Sequence, residues 1–269
     1  RQELTRDELI HYSTEVEATK TKELLGWQQL DALKCIPRSK GTNIVDARWV
    51  LRWKPDNTTP LGKVIKARFV VRGFKDNQGD TVDTFASTAT RWAQRMILSA
   101  AVQNEWQLRC LDVSQAFLQG IDFKTPAAQT GEPLRRVCFT PPSDSWQILS
   151  KLGFDCNPAA HIFELLKGVF GLKDAPRMWR MRLHNRLTEI GFSSLKIDDC
   201  LYCKWNSDKQ LICVLSTHVD DLKCTGTQDA LDSLDKELSK TFGKLKVEHP
   251  PFEHCGIQHT YNPVEKSFT

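Results

Sequence analysis

The stretch Leu211–Gly226, LICVLSTHVDDLKCTG, limits the possible folds more than any other part of the chain. An apolar, β-prone run from Leu211 to Leu215 leads into two adjacent acids, Asp220 and Asp221. A second short β-prone piece closes at Gly226. The pattern predicts a strand, a tight turn carrying paired carboxylates, and a returning strand. Neighbouring carboxylates on a turn repel each other unless a cation lies between them, and hard oxygen ligands suit Mg²⁺ or Mn²⁺. A lone Asp-Asp pair is more often a solvated acidic turn. Leu111-Asp112-Val113 shifts that balance, because it places another acid at the end of an apolar strand. Two strands delivering three carboxylates to one edge is the layout that two-metal phosphoryl transfer requires.

The rest of the chain supplies strands and helices in alternation. Thr5 to Leu33 is polar and helix-prone, with Leu24, Trp27, Leu30 and Leu33 at helical spacing, and predicts one or two helices covering a sheet. Ile44–Trp53 and Lys63–Gly73 flank a turn rich in Pro, Asn, Thr and Gly and predict a β-hairpin. Lys66 and Arg68 share one face of its second strand, which suits a grip on phosphates or, more plainly, a charged edge. Arg91–Trp106 predicts a helix with Trp92, Ala93, Met96, Ile97, Ala100 and Ala101 on one face, and Gln107–Val113 the strand that ends in Asp112.

Residues 121–160 show no steady period and read as an irregular insertion with one short strand, Arg136–Thr140. Asp174 and Pro176 open a helix whose buried stripe is Trp179, Leu183, Leu187 and Ile190, ended by Gly191. Its other faces carry Arg177, Arg180, Arg182, His184 and Arg186 with only Glu189 among them, a face that could lie along a nucleic-acid backbone. Leu201–Trp205 and Gln210–Leu215 predict strands. Thr227–Gly243 predicts a helix with Leu231, Leu234, Leu238 and Phe242 on one side, followed by small strands at Lys244–Val247 and Phe252–His259. Alternating helices and antiparallel strands suggest an α+β sheet with helices on one face.

Composition adds bounds. At 269 residues, 26% charged and 40% hydrophobic, the chain can bury a sizeable core or two subdomains. A net charge of +4 permits a polyanionic partner without demanding one. No apolar run approaches membrane-spanning length, so no membrane is expected as a partner. Nine cysteines at irregular spacing, with no secretory signal, read as reduced thiols of an intracellular protein. Cys200-x-x-Cys203 and His254-x4-His259 have the local spacing of zinc ligands, but the cysteines alternate inside a strand pattern, so buried thiols and surface histidines are preferred.

Several blocks occur together in order: Lys66-Ala67-Arg68 with Arg72-Gly73-Phe74; Asp83-Thr84-Phe85-Ala86; Leu111-Asp112-Val113 with Ala116-Phe117-Leu118-Gln119-Gly120; Gly171 to Arg177 with Trp179; Val219-Asp220-Asp221; and, more weakly, Cys255-Gly256-Ile257. In these blocks the chain resembles the reverse transcriptase domain of copia-type (Ty1/copia) long-terminal-repeat retrotransposon Pol polyproteins. The resemblance implies a polymerase-type fingers and palm, with 1–43 as a helical lead-in, 44–90 as fingers, 91–258 as palm carrying the insertion 121–160, and 259–269 as the start of a truncated C-terminal connection.

It further implies that Asp112, Asp220 and Asp221, with the Val113 carbonyl, hold two Mg²⁺ or Mn²⁺ ions. Lys66, Arg68, Phe117, Phe170 and Gly171 would meet the incoming nucleotide, and His218, Cys255 and Gly256 the primer. Arg72, Lys173, Arg177 and Arg180 would lie along nucleic-acid backbone. The implied partners are an RNA template, a DNA or RNA primer, dNTPs and other segments of a Pol polyprotein. The implied setting is a cytoplasmic retroelement particle, with later nuclear entry of the DNA product.

His218 stands where the family usually has Tyr, and Cys255 where it usually has Leu. These departures keep a second reading in play, an inactive retroelement remnant that only binds nucleic acid or serves as a structural domain. A third, a palm-type cyclase, lacks any sign of a purine pocket.

Overall fold

The computed structural model describes residues 3–131, 133–262, 265 and 267–268. Positions 1, 2, 132, 263, 264, 266 and 269, which fall in the lead-in, the insertion and the C-terminal segment, lie outside the described residues. In chain order the described residues form α1 Arg6–His11, α2 Ser13–Gln29, β1 Leu33–Pro37, β2 Ile44–Pro55, β3 Lys63–Val71, α3 Arg91–Gln103, β4 Gln107–Asp112 and α4 Lys124–Thr130. There follow β5 Cys138–Thr140, α5 Ser145–Lys151, β6 His161–Leu165, α6 Ala175–Glu189, β7 Phe192–Leu195, β8 Asp198–Trp205, β9 Leu211–His218 and β10 Asp221–Gly226. The chain closes with α7 Gln228–Phe242, β11 Lys246–Glu248, and the small pairs β12 Phe252–His254 with β13 Ile257–His259 and β14 Tyr261–Asn262 with β15 Ser267–Phe268. This is a mixed α/β protein with several antiparallel sheets and seven helices among the described residues. Among the described residues no helix is long and apolar enough to cross a membrane.

Two units divide the chain. The first comprises 1–84 and 120–178, the second 85–119 and 179–269. The first holds a five-stranded sheet in the order β1-β6-β5-β2-β3. Its one departure from antiparallel pairing is β2 with β5, where Ile44, Val45 and Asp46 face Cys138, Phe139 and Thr140. The segment 121–160 is therefore not shapeless. It forms α4, β5 and α5, and β5 enters the sheet because Val137, Cys138 and Phe139 are wholly buried. The aromatic packing of Trp27, Phe69, Phe139 and Phe163 fills this core, with ring centroids 5.1–6.2 Å apart.

A buried ionic network closes the first unit. Arg135 reaches Asp174 from Nε at 2.6 Å and Asp76 through its terminal nitrogens. All three side chains are at most 3% exposed. Asn43 donates to Asp76 at 2.8 Å. Burial works to raise the Asp76 carboxyl, but the hydrogen bonds from Arg135 and Asn43 outweigh it and hold the group below its ordinary range.

The second unit is built on a six-stranded, fully antiparallel sheet, β11-β4-β10-β9-β8-β7. Helices do not lie on one face alone, as the sequence suggested. On one side Trp179, Leu183 and Leu187 of α6 and Leu231, Leu234 and Leu238 of α7 pack with Leu111, Leu215, Leu222 and Cys224. On the other, Ala93 and Ile97 of α3 pack with Leu108, Cys110, Val214 and Leu201, joined by Phe252. The cause is legible in β9: Cys213, Val214 and Leu215 are consecutive and all buried, so both faces of that strand require cover.

Two more expectations are corrected. Trp92 and Met96 were placed on the buried stripe of α3, yet they are 72% and 50% exposed, and the helix instead buries Ala93, Ile97 and Ala101. Small residues let this helix approach the sheet closely, which turns the large neighbours outward. Nine reduced thiols were expected. Cys35 and Cys156 are joined by a disulfide across 121 positions, because the β1–β6 pairing draws the loop before β6 towards Cys35. The other seven cysteines are free.

Removing Arg135 leaves two carboxylates buried without their cation. Arg135→Ala is therefore expected to destabilise the protein by ~3–5 kcal/mol in urea denaturation at neutral pH. Because the folded-state value of Asp76 is depressed, the contribution stands above the unfolded carboxylate range and is lost as pH falls through the folded value.

Candidate active site

β4, β10 and β9 lie side by side, and their register sets the geometry. Asp221 pairs with Asp112 on one side and with His218 on the other. The β9–β10 loop therefore consists of two residues, Val219 and Asp220. Val219 has φ +57°, a conformation hairpin loops usually assign to glycine and one that is costly for a β-branched residue. Its carbonyl accepts a 2.7 Å hydrogen bond from Trp179 Nε1, which ties the loop to α6 and the core beneath. The sequence marked Trp179 as a buried stripe residue of its helix and as part of a motif block; the indole N–H gives it a further task, positioning the loop.

The electrostatics follow from this crowding. Asp221 is raised to about 6, first by burial and then by the charges of Asp220 and Asp112. Asp220 is exposed and Asp112 is half-buried. Glu248 also pushes Asp221 up, while Lys246, paired with Asp112 across β11–β4 and 2.5 Å from Glu248, brings a compensating cation. Neither Lys246 nor Glu248 was singled out from the sequence, because only the sheet order places β11 beside β4. Three carboxylates in mutual repulsion, one of them raised, fit a site for divalent cations with oxygen ligands. Val113 follows directly after Asp112 and is buried, and Phe117 packs against the α6–α7 side of the core.

Two of the residues expected at the primer, Cys255 and Gly256, form a second loop. His254 pairs with Ile257, so Cys255 and Gly256 are the two loop residues of the β12–β13 hairpin, with φ +53° and +75°. Two positive values mark a type I′ turn, for which Gly at the second position is suited. Both loop residues are exposed, and His218 is half-buried.

In the first unit, Arg68 lies over the Phe170 ring at 4.5 Å, and Lys66 is exposed on the same face of β3. The end of β3 continues into Phe170 through a 2.9 Å hydrogen bond from Val71 N to the Phe170 carbonyl. Gly171 has φ +102°, and a Cβ there would collide with the Val71 carbonyl; a Cβ on Gly73 would collide with the Gly171 carbonyl. The Arg72-Gly73 and Phe170-Gly171 blocks thus meet backbone to backbone, a contact that sequence spacing did not reveal.

The four basic residues expected along nucleic-acid backbone each have a carboxylate neighbour: Arg72 with Asp46 at 2.8 Å, Lys173 with Asp80 at 2.5 Å, Arg177 with Asp83 at 3.2 Å and Arg180 with Asp199 at 2.5 Å. The acids missing from the α6 sequence come from other elements. Asp198, Asp199 and Cys200 also gather closely, but Thr90, Ser87 and Arg180 engage both carboxylates.

The family model for reverse transcriptase (RNA-dependent DNA polymerase) matches residues 31–126 and 147–261. The chain belongs to this reverse transcriptase family. It is 30% identical over 210 residues to the retrovirus-related Pol polyprotein from transposon RE1 of Arabidopsis thaliana, covering 76% of this chain and 13% of that protein. It is 28% identical over 223 residues to the corresponding polyprotein from transposon TNT 1-94 of Nicotiana tabacum, covering 82% of this chain and 15% of that protein. A shorter match, 31% over 83 residues, joins it to the putative transposon Ty5-1 protein YCL074W of Saccharomyces cerevisiae, covering 30% of this chain and 26% of that protein. The resemblance to copia-type Pol polyproteins agrees with these relatives, and the chain spans only 13–15% of the length of the two Pol polyproteins.

Between the ordinary aspartate value of ~3.9 and about 6, folded Asp221 binds more protons than the unfolded chain does. Its contribution to metal-free stability therefore falls as pH rises through that window. In chelator-treated protein at neutral pH, Asp221→Asn is expected to stabilise by about 1 kcal/mol after allowing for solvent screening. Mg²⁺ is expected to raise the melting temperature of the wild type more than that of the variant. Thermal melts across pH, with and without Mg²⁺, check both.

Proposed function

We propose that this chain is the RNA-directed DNA polymerase domain of a copia-type retrotransposon Pol polyprotein, extending a primer 3′-hydroxyl with dNTPs on an RNA template. The observation that carries the reading is the meeting of Asp112, Asp220 and Asp221 at adjoining strand ends, with Asp221 raised by burial and by the other two. The division into fingers and palm belongs to the same reading. The first unit, with Lys66, Arg68, Phe170 and Gly171, supplies nucleotide-binding groups, and the second supplies the acids.

Asp112, Asp220 and Asp221, with the main-chain carbonyl of Val113, would hold two Mg²⁺ or Mn²⁺. When bound, these ions lower the pKa of the attacking hydroxyl and neutralise charge on the triphosphate and the leaving pyrophosphate. The chain's own groups do the rest. Lys66 offers a compact charge to the phosphates. Arg68 offers a planar fork already oriented by stacking on Phe170. Phe117 lies under the sugar of the incoming nucleotide and excludes a 2′-hydroxyl. The loop residues Cys255 and Gly256, with His218, hold the primer end, and Arg72, Lys173, Arg177 and Arg180 exchange carboxylate partners for backbone phosphates. Work inside cytoplasmic particles, with DNA product passing to the nucleus, accompanies this reading.

Primer extension on an RNA template with Mg²⁺ or Mn²⁺ tests it. Extension is expected from the wild-type chain, and a fall of at least about 10³-fold from the Asp220→Asn, Asp221→Asn double variant, as several kcal/mol of charge stabilisation would be lost. Absence of extension from both proteins, with salt-sensitive primer–template binding intact, would instead favour a domain that binds without polymerising.

A further inference from the structure

β3 stands at the end of its sheet, so one row of its main-chain groups meets no strand. Groups from elsewhere complete that row at alternate positions. Thr19 of α2 donates from Oγ1 to the Ile65 carbonyl and accepts from Ala67 N, both at 3.3 Å. Glu23, one helical turn further along α2, accepts from Phe69 N at 3.4 Å through Oε1. Val71 N meets the Phe170 carbonyl at 2.9 Å. A single strand edge thus fixes both α2 and Phe170 in register with Arg68.

Glu23 is 7% exposed, and a carboxylate so buried calls for a cation. Its other oxygen, Oε2, lies 3.9 Å from Nη1 of Arg68. The same guanidinium rests over the Phe170 ring at 4.5 Å. The ring sets the plane of the fork, and the carboxylate sets the direction in which its positive edge is drawn. At 3.9 Å the ion pair is longer than a hydrogen bond, so Glu23 attracts Arg68 and leaves the N–H donors to a ligand. The Arg68 side chain is half-buried, open enough for such a ligand to reach it.

We propose that Glu23 is a positioning residue for Arg68, aiming its guanidinium at the triphosphate of the incoming nucleotide. The assignment rests on the reading of Arg68 as a triphosphate-binding group. It gives α2, which the sequence marked only as cover for a sheet, a part in nucleotide selection. A side chain already held in its binding geometry loses less freedom when the ligand arrives, and that gain appears as affinity. Simple charge repulsion acts in the other direction: a carboxylate with no positioning role would only repel a triphosphate, and its removal would tighten binding. The sign of the change therefore decides between the two.

The test separates nucleotide binding from polymerisation. Calorimetry measures Mg²⁺–dATP affinity on the full chain holding a dideoxy-terminated primer opposite a template uridine, where no bond can form. Primer extension measures KM and kcat for the same nucleotide. Glu23→Gln keeps an oxygen for Phe69 N and drops the charge. It is expected to raise Kd and KM roughly five-fold, with kcat within about two-fold of wild type and an unchanged circular dichroism spectrum. Arg68→Gln is expected to raise both by about ten-fold or more, and adding Glu23→Gln to it to change little further, because no guanidinium is left to aim. Should Glu23→Gln fail to fold, Glu23→Asp, which draws the charge back from Arg68, completes the same cycle. Unchanged or tighter binding in the Glu23 variant, or effects of the two substitutions that simply multiply, would overturn the proposal. So would a wild type that binds no dATP. Binding without extension by the wild type would instead remove the polymerase reading and leave the positioning role standing.

Discussion

The hydrogen bond from Trp179 to the Val219 carbonyl is the contact on which the arrangement of acids rests. A two-residue loop between β9 and β10 must turn the chain with one position at positive φ, and that position is valine. Left to itself, a β-branched residue would resist this conformation and open the loop. The indole N–H, buried in the core that α6 shares with α7 and the sheet, supplies an anchor on the far side. With the loop held, the β9–β10 and β10–β4 registers follow. Those registers bring Asp112 and Asp221 face to face with Asp220 beside them. Packing beneath the sheet therefore sets the electrostatics at its edge.

Much of this was legible beforehand, and the reason is local. The hairpin of β9 and β10, the hairpin of β2 and β3, and the helices α6 and α7 are each specified by alternation, turn residues or a helical stripe within one short window. The resemblance of the motif blocks then grouped acids whose pairing no window contains. What escaped depends on distant partners. The acids that neutralise Arg177, Arg180 and Arg186 lie on other elements, so α6 read alone looked bare of them. Trp92 and Met96 share a helical face with true core positions, and only the close approach permitted by Ala93 and Ala101 turns them outward. In 121–160 the short strand β5 was legible at Arg136–Thr140, but the helices α4 and α5, seven residues each, are too short to show a helical period of their own.

The glycines of the motif blocks carry a related lesson. Gly73 and Gly171 both stand in the motif blocks, and Gly171 was expected to meet the incoming nucleotide, yet each also has a steric reason of its own. They let the end of β3 and the segment after β6 touch main chain to main chain, and neither position tolerates a Cβ. A motif residue can thus owe its identity to packing alone, and substitution there first reports on the fold. Arg135 is the opposite case. Nothing in its sequence context drew notice, but its pairing with Asp76 and Asp174 joins the turn after β3 to the entrance of α6.

The interleaving of the two units bears on how the protein is made. Each unit is assembled from two stretches of chain, and each stretch of one is separated by a stretch of the other. During synthesis β2 emerges long before β5, and β4 with Asp112 before β10, so neither sheet is complete while only the first half of the chain exists. Pairings across such gaps close slowly and leave strand edges exposed meanwhile. A ribosome pause or a premature stop between 120 and 160 would leave both sheets short of strands at once.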